Sequence, residues 1–211
     1  MKILELFSGT QGISKEFRKN NWETFTIDNN VYFNNITNMN KNILNVTSGE
    51  IVNQFGYPDV VWASPPCTTF SVASVRWHWD NSGEALKPKS DKALIGVKII
   101  RKTLQLIEEL NPKYWFIENP RGMLRKMPFM KDLPRYTVTY CQYGDDRMKP
   151  TDIWTNHPNP KFKPTCSNGD DCHASAPRGS QTGTQGRKSN IEKSKIPQKL
   201  CKHIAEISMK Y

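Results

Sequence analysis

No stretch of this 211-residue chain is long and apolar enough to span a bilayer, which takes a run of about 18 such residues. The N-terminus carries no amphipathic segment that could lie on a membrane surface. Met1 leads straight into the apolar run Lys2-Ile3-Leu4-Glu5-Leu6-Phe7, which leaves no room for a secretory leader. Cysteine is sparse and irregular. The five residues at 67, 141, 166, 172 and 201 form no disulfide framework, and an odd count without an export signal points to reduced thiols in a cytoplasm. Acidic residues are outnumbered, 20 against 30 Lys and Arg, so the net charge of +10 favours a polyanionic partner. No internal repeat is present. At 24.3 kDa the chain has length for one domain with an ample core and a small appendage.

What is present alternates between strand-like and helix-like patterns. The first apolar run is followed by the tight turn Ser8-Gly9-Thr10-Gln11-Gly12, a helix over 13–20 and a strand over 22–27. A short helix at 47–55 and a buried strand at 59–63 come next. The spacing of Leu94, Val97, Ile100, Leu104, Ile107 and Leu110 predicts an amphipathic helix over Asp91–Leu110, ended by Asn111-Pro112. Strands are expected at 113–118, about 136–141 and about 151–155, with a last helix starting at Ile196-Pro197. Such alternation implies a largely parallel sheet whose ligand site lies at the C-terminal ends of the strands. Residues 68–90, with Trp77-His78-Trp79, are too irregular for one element. Residues 156–190 are polar, basic and too poor in apolar side chains to build a core of their own.

Four features converge on that strand edge. Strand, glycine turn and helix at the N-terminus let backbone approach a ligand at the helix start. Asp28 ends the second strand, where an acidic group commonly bonds ribose hydroxyls; a turn cap is its structural alternative. Cys67 stands in the rigid turn Ser64-Pro65-Pro66-Cys67, just beyond the buried strand rather than inside it, where a nucleophile would be presented. Glu118 ends the apolar run Tyr114-Trp115-Phe116-Ile117 and is followed by Asn119-Pro120, so it is either a solvated strand end or a carboxyl group facing Cys67.

In this order and spacing the chain resembles the cytosine-C5 DNA methyltransferases over roughly residues 1–155. The matching pieces are Leu6-Phe7-Ser8-Gly9, Asp28, Pro66-Cys67 with Phe70-Ser71, Glu118-Asn119, and Gln142-Tyr143-Gly144 through Arg147. Thr10-Gln11 stands where a second glycine is usual, and Pro120 where a valine is. The resemblance implies an α/β fold: a mostly parallel, Rossmann-like sheet with helices on both faces and a small irregular appendage. It implies S-adenosylmethionine as methyl donor, held by Phe7, Ser8, Gly9, Thr10, Gly12, Asp28, Asn29, Asn42, Ser64 and Pro65. Cys67 would add to C6 of a flipped cytosine and Glu118 would hold its N3 and amine. Arg147 and Lys149 would stabilise the base oxygen or a phosphate; the alternative for Arg147 is an ion pair with Asp145 or Asp146. Burial should raise the pKa of Glu118. Residues 1–155 would form the catalytic and cofactor-binding domain, 156–190 a minimal target-recognition segment, and 191–211 a C-terminal helix packed back on the first unit.

The expected partner is double-stranded DNA, met by Arg76 on the 68–90 loop and by Arg178, Arg187 and Lys188. Trp77, His78 and Trp79 either fill the gap left by the flipped base or pack the loop onto the sheet. A monomeric enzyme of short or relaxed specificity is expected, of a kind that suits a phage evading restriction in a bacterial host. Cys166, Cys172 and His173, with His157 as a fourth group, are zinc-type ligands. Their spacing lacks the usual short Cys-x-x-Cys pairs, so no metal is assigned. Methylation of cytosine in RNA, or a silent nucleic-acid-binding module of the same fold, are the alternative functions.

Overall fold

The computed structural model describes residues 1–80, 82, 86–175 and 189–210. In chain order the elements are β1 (Lys2–Leu6), α1 (Gly12–Arg18), β2 (Glu23–Asp28), β3 (Met39–Asn40), α2 (Ser48–Phe55), β4 (Val60–Ala63), α3 (Val75–His78), β5 (Trp79–Asp80) and β6 (Lys87–Pro88). There follow α4 (Asp91–Leu110), β7 (Tyr114–Pro120), β8 (Arg135–Thr139), β9 (Pro150–Thr155), α5 (Asn190–Ser194) and α6 (Gln198–Met209). Seven strands form one sheet in the order β3-β2-β1-β4-β7-β9-β8, and β5 with β6 makes a separate antiparallel ribbon. Strands β3, β2, β1, β4 and β7 run parallel, as the alternation implies. The departure is β9, which is antiparallel to both neighbours. Only a single 3-10 turn (Tyr140–Tyr143) and no α-helix lies between β8 and β9, so the chain returns by a short connection, and such a return reverses the strand.

Side-chain alternation divides the core between the two faces of the sheet. Leu4, Leu6, Val61 and Ile117 pack with Ile51 of α2 and Ile100, Leu106 and Leu110 of α4. Ile3, Val60, Trp62 and Phe116 pack with Ile13 and Phe17 of α1 and Leu200 and Ile204 of α6. Helices therefore cover both faces. The long helix α4 has the predicted limits: Ser90 caps its first turn through Ala93 N at 3.2 Å, and Asn111 closes it in a left-handed conformation, φ 43°. A reciprocal Thr47–Glu50 capping box starts α2. Helix α6 returns against α1, where Gln198 Nε2 donates to Glu16 Oε1 at 3.2 Å. Among the described residues no helix is long and apolar enough to cross a membrane.

One buried charge underlies the first unit. Glu5 lies on the α1 side of β1, 3% exposed, and its Oε2 accepts from Ser14 N at 2.9 Å. It thus supplies the N-terminal cap of α1 that Gln11 does not, since the Gln11 side chain makes no capping bond. Burial raises the Glu5 pKa from 4.5 to about 7, against the lowering by its bonds to Ser14. A carboxyl group with a raised folded-state pKa leaves stability intact below the unfolded value and removes it as pH climbs through the folded one. At roughly 1.4 kcal/mol per pH unit, that amounts to about 3 kcal/mol. Glu5→Gln keeps the acceptor without the charge. Its advantage over the parent in urea unfolding should grow between pH 4.5 and 7 and level off above. A difference independent of pH would show that Glu5 is not the titrating group.

Candidate active site

The C-terminal edge of the parallel strands gathers the turns after β1, β2, β4 and β7 into one place. Beyond β1 the backbone takes positive φ at Phe7 (58°), Gly9 (45°) and Gln11 (58°). A left-handed conformation at a non-glycine residue costs roughly 1–2 kcal/mol, so a glycine is the easy occupant at position 11. The side chain of Gln11 offsets that cost. Its Nε2 donates to Thr26 Oγ1 at 3.3 Å and to the Ile36 carbonyl, and its Oε1 accepts from Arg18 Nη2 at 2.9 Å. The departure from the usual second glycine is therefore compensated locally.

Asp28 closes the other side of this turn: Oδ2 accepts from Gly9 N at 2.7 Å and Oδ1 from Asn30 N at 2.8 Å. Ser8 is buried and its Oγ has no partner among the described residues. An orphaned hydroxyl on a backbone turn that a carboxylate closes fits a polar ligand with hydroxyl and amino groups. Thr10 and Gly12 are half-buried on the same turn. Asn29 and Asn42 are exposed; Asn42 caps a short 3-10 turn through Leu44 N at 3.0 Å. Val31 (71% exposed) and Tyr32 (81%) follow Asp28 as uncovered apolar side chains. No sequence signal singled them out, because exposure is not visible in a pattern.

The Pro65-Pro66-Cys67 turn leaves β4 while the Glu118-Asn119 segment ends β7, and these strands are neighbours, with Ala63 opposite Ile117. Two contacts join the turns. Asn119 Nδ2 donates to the Pro65 carbonyl at 3.0 Å, and Met123 N donates to the Phe70 carbonyl at 2.7 Å. The second approach is so close that a Cβ on Gly122 would lie 2.2 Å from the Phe70 oxygen. Phe70 N and Ser71 N both donate to the Cys67 carbonyl at 3.0 Å, which tightens the loop behind the thiol. Ser64 is half-buried and its Oγ accepts from Trp62 Nε1 at 2.7 Å. Asn119 and Tyr140 were not anticipated in these roles.

Three titratable groups meet here. Burial, then the nearby Glu118 charge, pushes the Cys67 thiol up, partly opposed by Lys149. Burial raises Glu118 as expected, while Lys149 and the Tyr140 hydroxyl, which donates to Glu118 Oε1 at 2.9 Å, pull it back. Burial lowers Lys149, whose Nζ also stands 4.5 Å from the centre of the Tyr140 ring. Each shift favours the neutral form, and the opposing charges resist it.

Arg147 lies elsewhere. Its guanidinium forms a forked ion pair with Asp145, Nε to Oδ1 at 2.8 Å and Nη2 to Oδ2 at 2.6 Å, and Nη1 donates to the Lys193 carbonyl at 3.2 Å. Burial alone would raise the Asp145 pKa; Arg147 outweighs this and holds it at about 2. Lys149 Nζ donates to the same Lys193 carbonyl at 3.1 Å, so both cations fasten the loop to α5, while Lys149 is the one whose charge bears on Cys67 and Glu118.

The irregular loop after Cys67 splits into parts. Trp79 is buried, donating from Nε1 to the Thr69 carbonyl at 2.7 Å and packing on Phe70. His78 Nδ1 pairs with Ser90 Oγ at 2.7 Å. Trp77 is 64% exposed with Arg76 stacked on it at 4.6 Å. So Trp79 anchors the loop, and Trp77 with Arg76 forms its open lip. Arg178, Arg187 and Lys188 lie outside the described residues. His157 is buried against Tyr114, its Nε2 at 3.2 Å from the Ile207 carbonyl and its Nδ1 accepting from Asn159 N. Both ring nitrogens are thus engaged, one against α6 and one against the loop after β9, and His157 does not join Cys166, Cys172 and His173.

A family profile described as "C-5 cytosine-specific DNA methylase" matches residues 1–131. A protein of Frog virus 3 (isolate Goorha) described as "Probable DNA (cytosine-5)-methyltransferase" is 32% identical over 178 residues, covering 82% of this chain and 78% of that one. Among solved structures, a prophage-encoded DNA modification methyltransferase (E. coli) superposes with a TM-score of 0.54 at 16% identity, covering 74% of this chain and 46% of the other. Spodoptera frugiperda DNMT2 gives 0.48 at 20% identity, over 73% and 49%. The chain spans about half the length of those two structures.

The junction between the two turns is open to test at Gly122. Gly122→Ala should force the Phe70 carbonyl away, at a cost of about 1–3 kcal/mol for overpacking. Urea unfolding should record that loss, turnover should fall with it, and cofactor affinity at the separate glycine turn should hold. Wild-type stability and turnover together would mean that the close approach is not needed.

Proposed function

This chain belongs to the C-5 cytosine-specific DNA methylase family, and we propose that it methylates C5 of cytosine in duplex DNA through a covalent adduct on Cys67. The observation that carries the reading is the meeting of Cys67, Glu118 and Lys149 on the edge where β4 and β7 end. Cytosine C5 is a weak nucleophile. Addition of Cys67 Sγ to C6 forms a carbon–sulfur bond and moves the C5=C6 electron pair onto C5, which then takes the methyl group. Loss of the C5 proton and expulsion of the thiolate restore the ring. Burial pushes Glu118 toward its protonated form, and in that form it would donate to N3, accept from the exocyclic amine and draw charge into the ring. The thiol proton must first pass to solvent water, and Lys149 in its charged form favours the thiolate that remains.

S-adenosylmethionine supplies the electrophilic methyl group. The orphaned Ser8 hydroxyl and the Asp28 carboxylate suit its amino-acid end and ribose, with Gly9 and the turn through Gly12 as the backbone support. Ser64 and Pro65 border the site from β4, and Tyr32 with Asn29 and Asn42 would border the adenine. A duplex cytosine must leave its stack to reach Cys67. Arg76 and Trp77 on the loop lip, together with Arg178, Arg187 and Lys188, would meet the strand. With so short a recognition segment most affinity comes from phosphates, so a context of about two or three bases is expected.

Transfer of a labelled methyl group to duplex DNA, with a matched RNA in parallel, tests this reading. DNA should be modified and RNA not. Cys67→Ser should abolish transfer, and Glu118→Gln should slow it by about 100-fold, the scale of general acid–base catalysis. Preferred methylation of the RNA would reassign the substrate. Full activity in the Ser variant would remove the covalent step.

A further inference from the structure

Four ligand-type side chains that the methyl-transfer chemistry leaves unused come together behind β8. Cys141, Cys166, Cys172 and His173 each offer one donor atom, and all four atoms lie within 4.8 Å of one another. The Sγ atoms of Cys141 and Cys172 are 3.6 Å apart; His173 Nδ1 is 3.5 Å from Cys172 Sγ and 3.8 Å from Cys166 Sγ. A tetrahedron built on Zn–S of about 2.3 Å and Zn–N of about 2.0 Å has edges of about 3.8 Å between sulfurs and about 3.5 Å from sulfur to nitrogen. The observed edges match that figure. Cys141 and Cys166 are closer, 3.0 Å, yet far from the roughly 2.05 Å of a disulfide.

We infer that these four residues form a structural zinc site that fastens the recognition segment to the catalytic sheet. Three thiolates and one imidazole are a donor set that selects zinc over the oxygen-seeking cations, and four protein ligands close the coordination shell. Such a shell leaves no position for substrate, so the metal is a staple and not a Lewis acid. Binding displaces three thiol protons, so affinity falls as pH drops. Outer contacts support the set: Cys166 N donates to Thr139 Oγ1 at 3.1 Å, and Gln142 Nε2 lies 3.5 Å from Cys172 Sγ.

The segment has need of a staple. Residues 161–175 contain no helix or strand and, apart from the cysteines, only Phe162 as a large apolar residue, so burial cannot hold them. They lie along the turn after β8, where Lys163 N donates to the Tyr143 hydroxyl and Ala174 N to the Asp146 carbonyl. Cys141 follows Tyr140, the side chain bonded to Glu118. Fixing this corner therefore steadies the turn behind Glu118.

Metal content of the purified, reduced chain decides the matter without any measurement of methyl transfer. Elemental analysis should find one zinc per chain, and cobalt exchanged into the site should show thiolate charge-transfer absorption with the intense visible bands of tetrahedral coordination. Cys172→Ser and His173→Ala should lose the metal and melt at a lower temperature, while Cys67→Ser should keep it. Cys172 is exposed, so its variant should still fold, as circular dichroism will report. Three results would each overturn the inference: no binding when stoichiometric zinc is offered, undiminished zinc in both ligand variants, or an intact mass showing a Cys141–Cys166 disulfide.

Discussion

A single short-range constraint, the locking of two strand ends to each other, governs the chemistry of this molecule. The thiol sits on a turn beyond β4 and the carboxyl group on the end of β7. Nothing in either strand alone would hold them to a common geometry. The Asn119 side chain reaches the Pro65 carbonyl, and Gly122 lets the following turn press against Phe70. The two prolines fix φ at positions 65 and 66 and so stiffen the chain that leads into Cys67. Misplacement by about an ångström can cost a hundredfold in rate, so under the proposed roles of Cys67 and Glu118 these contacts would bear on catalysis without touching substrate.

Electrostatics follows from the same enclosure. Burial disfavours the charged form of every titratable group it covers, and here it covers an acid, a thiol and an amine together. An acid kept protonated suits a donor to a ring nitrogen. A thiol kept protonated is a poor nucleophile, and the Lys149 charge is the local force acting the other way. The balance between burial and Lys149 therefore sets how much thiolate Cys67 carries. A freely ionised cysteine at that exposed edge would instead be open to oxidation.

Much of this was legible in the sequence, for physical reasons. The periodicity of α4, the strand runs of β1, β2, β4 and β7, and the turns that end them are local features, and the local signal agreed with the fold. What escaped depended on distance in the chain. Cys141 is 25 residues from Cys166 and sits beside it in space, so no spacing rule could pair them, and the sequence offered His157 as the fourth group. Tyr140 read as part of an apolar strand end, yet its hydroxyl serves Glu118. Gln11 looked like a weakened glycine turn, whereas its side chain anchors that turn from three sides. The two tryptophans at 77 and 79 are equivalent in composition and opposite in burial, a difference set by the short α3 turn between them.

The covalent role of Cys67 is the claim on which the rest of the functional account turns, and a trapped complex tests it most directly. In a duplex carrying 5-fluorocytosine the fluorine at C5 cannot leave as a proton does, so the final elimination is blocked. Incubated with that duplex and S-adenosylmethionine, the protein should form a denaturant-resistant adduct whose peptide map places the modified base on Cys67. An active enzyme that forms no adduct, or one attached through Cys141, Cys166, Cys172 or Cys201, would contradict the account.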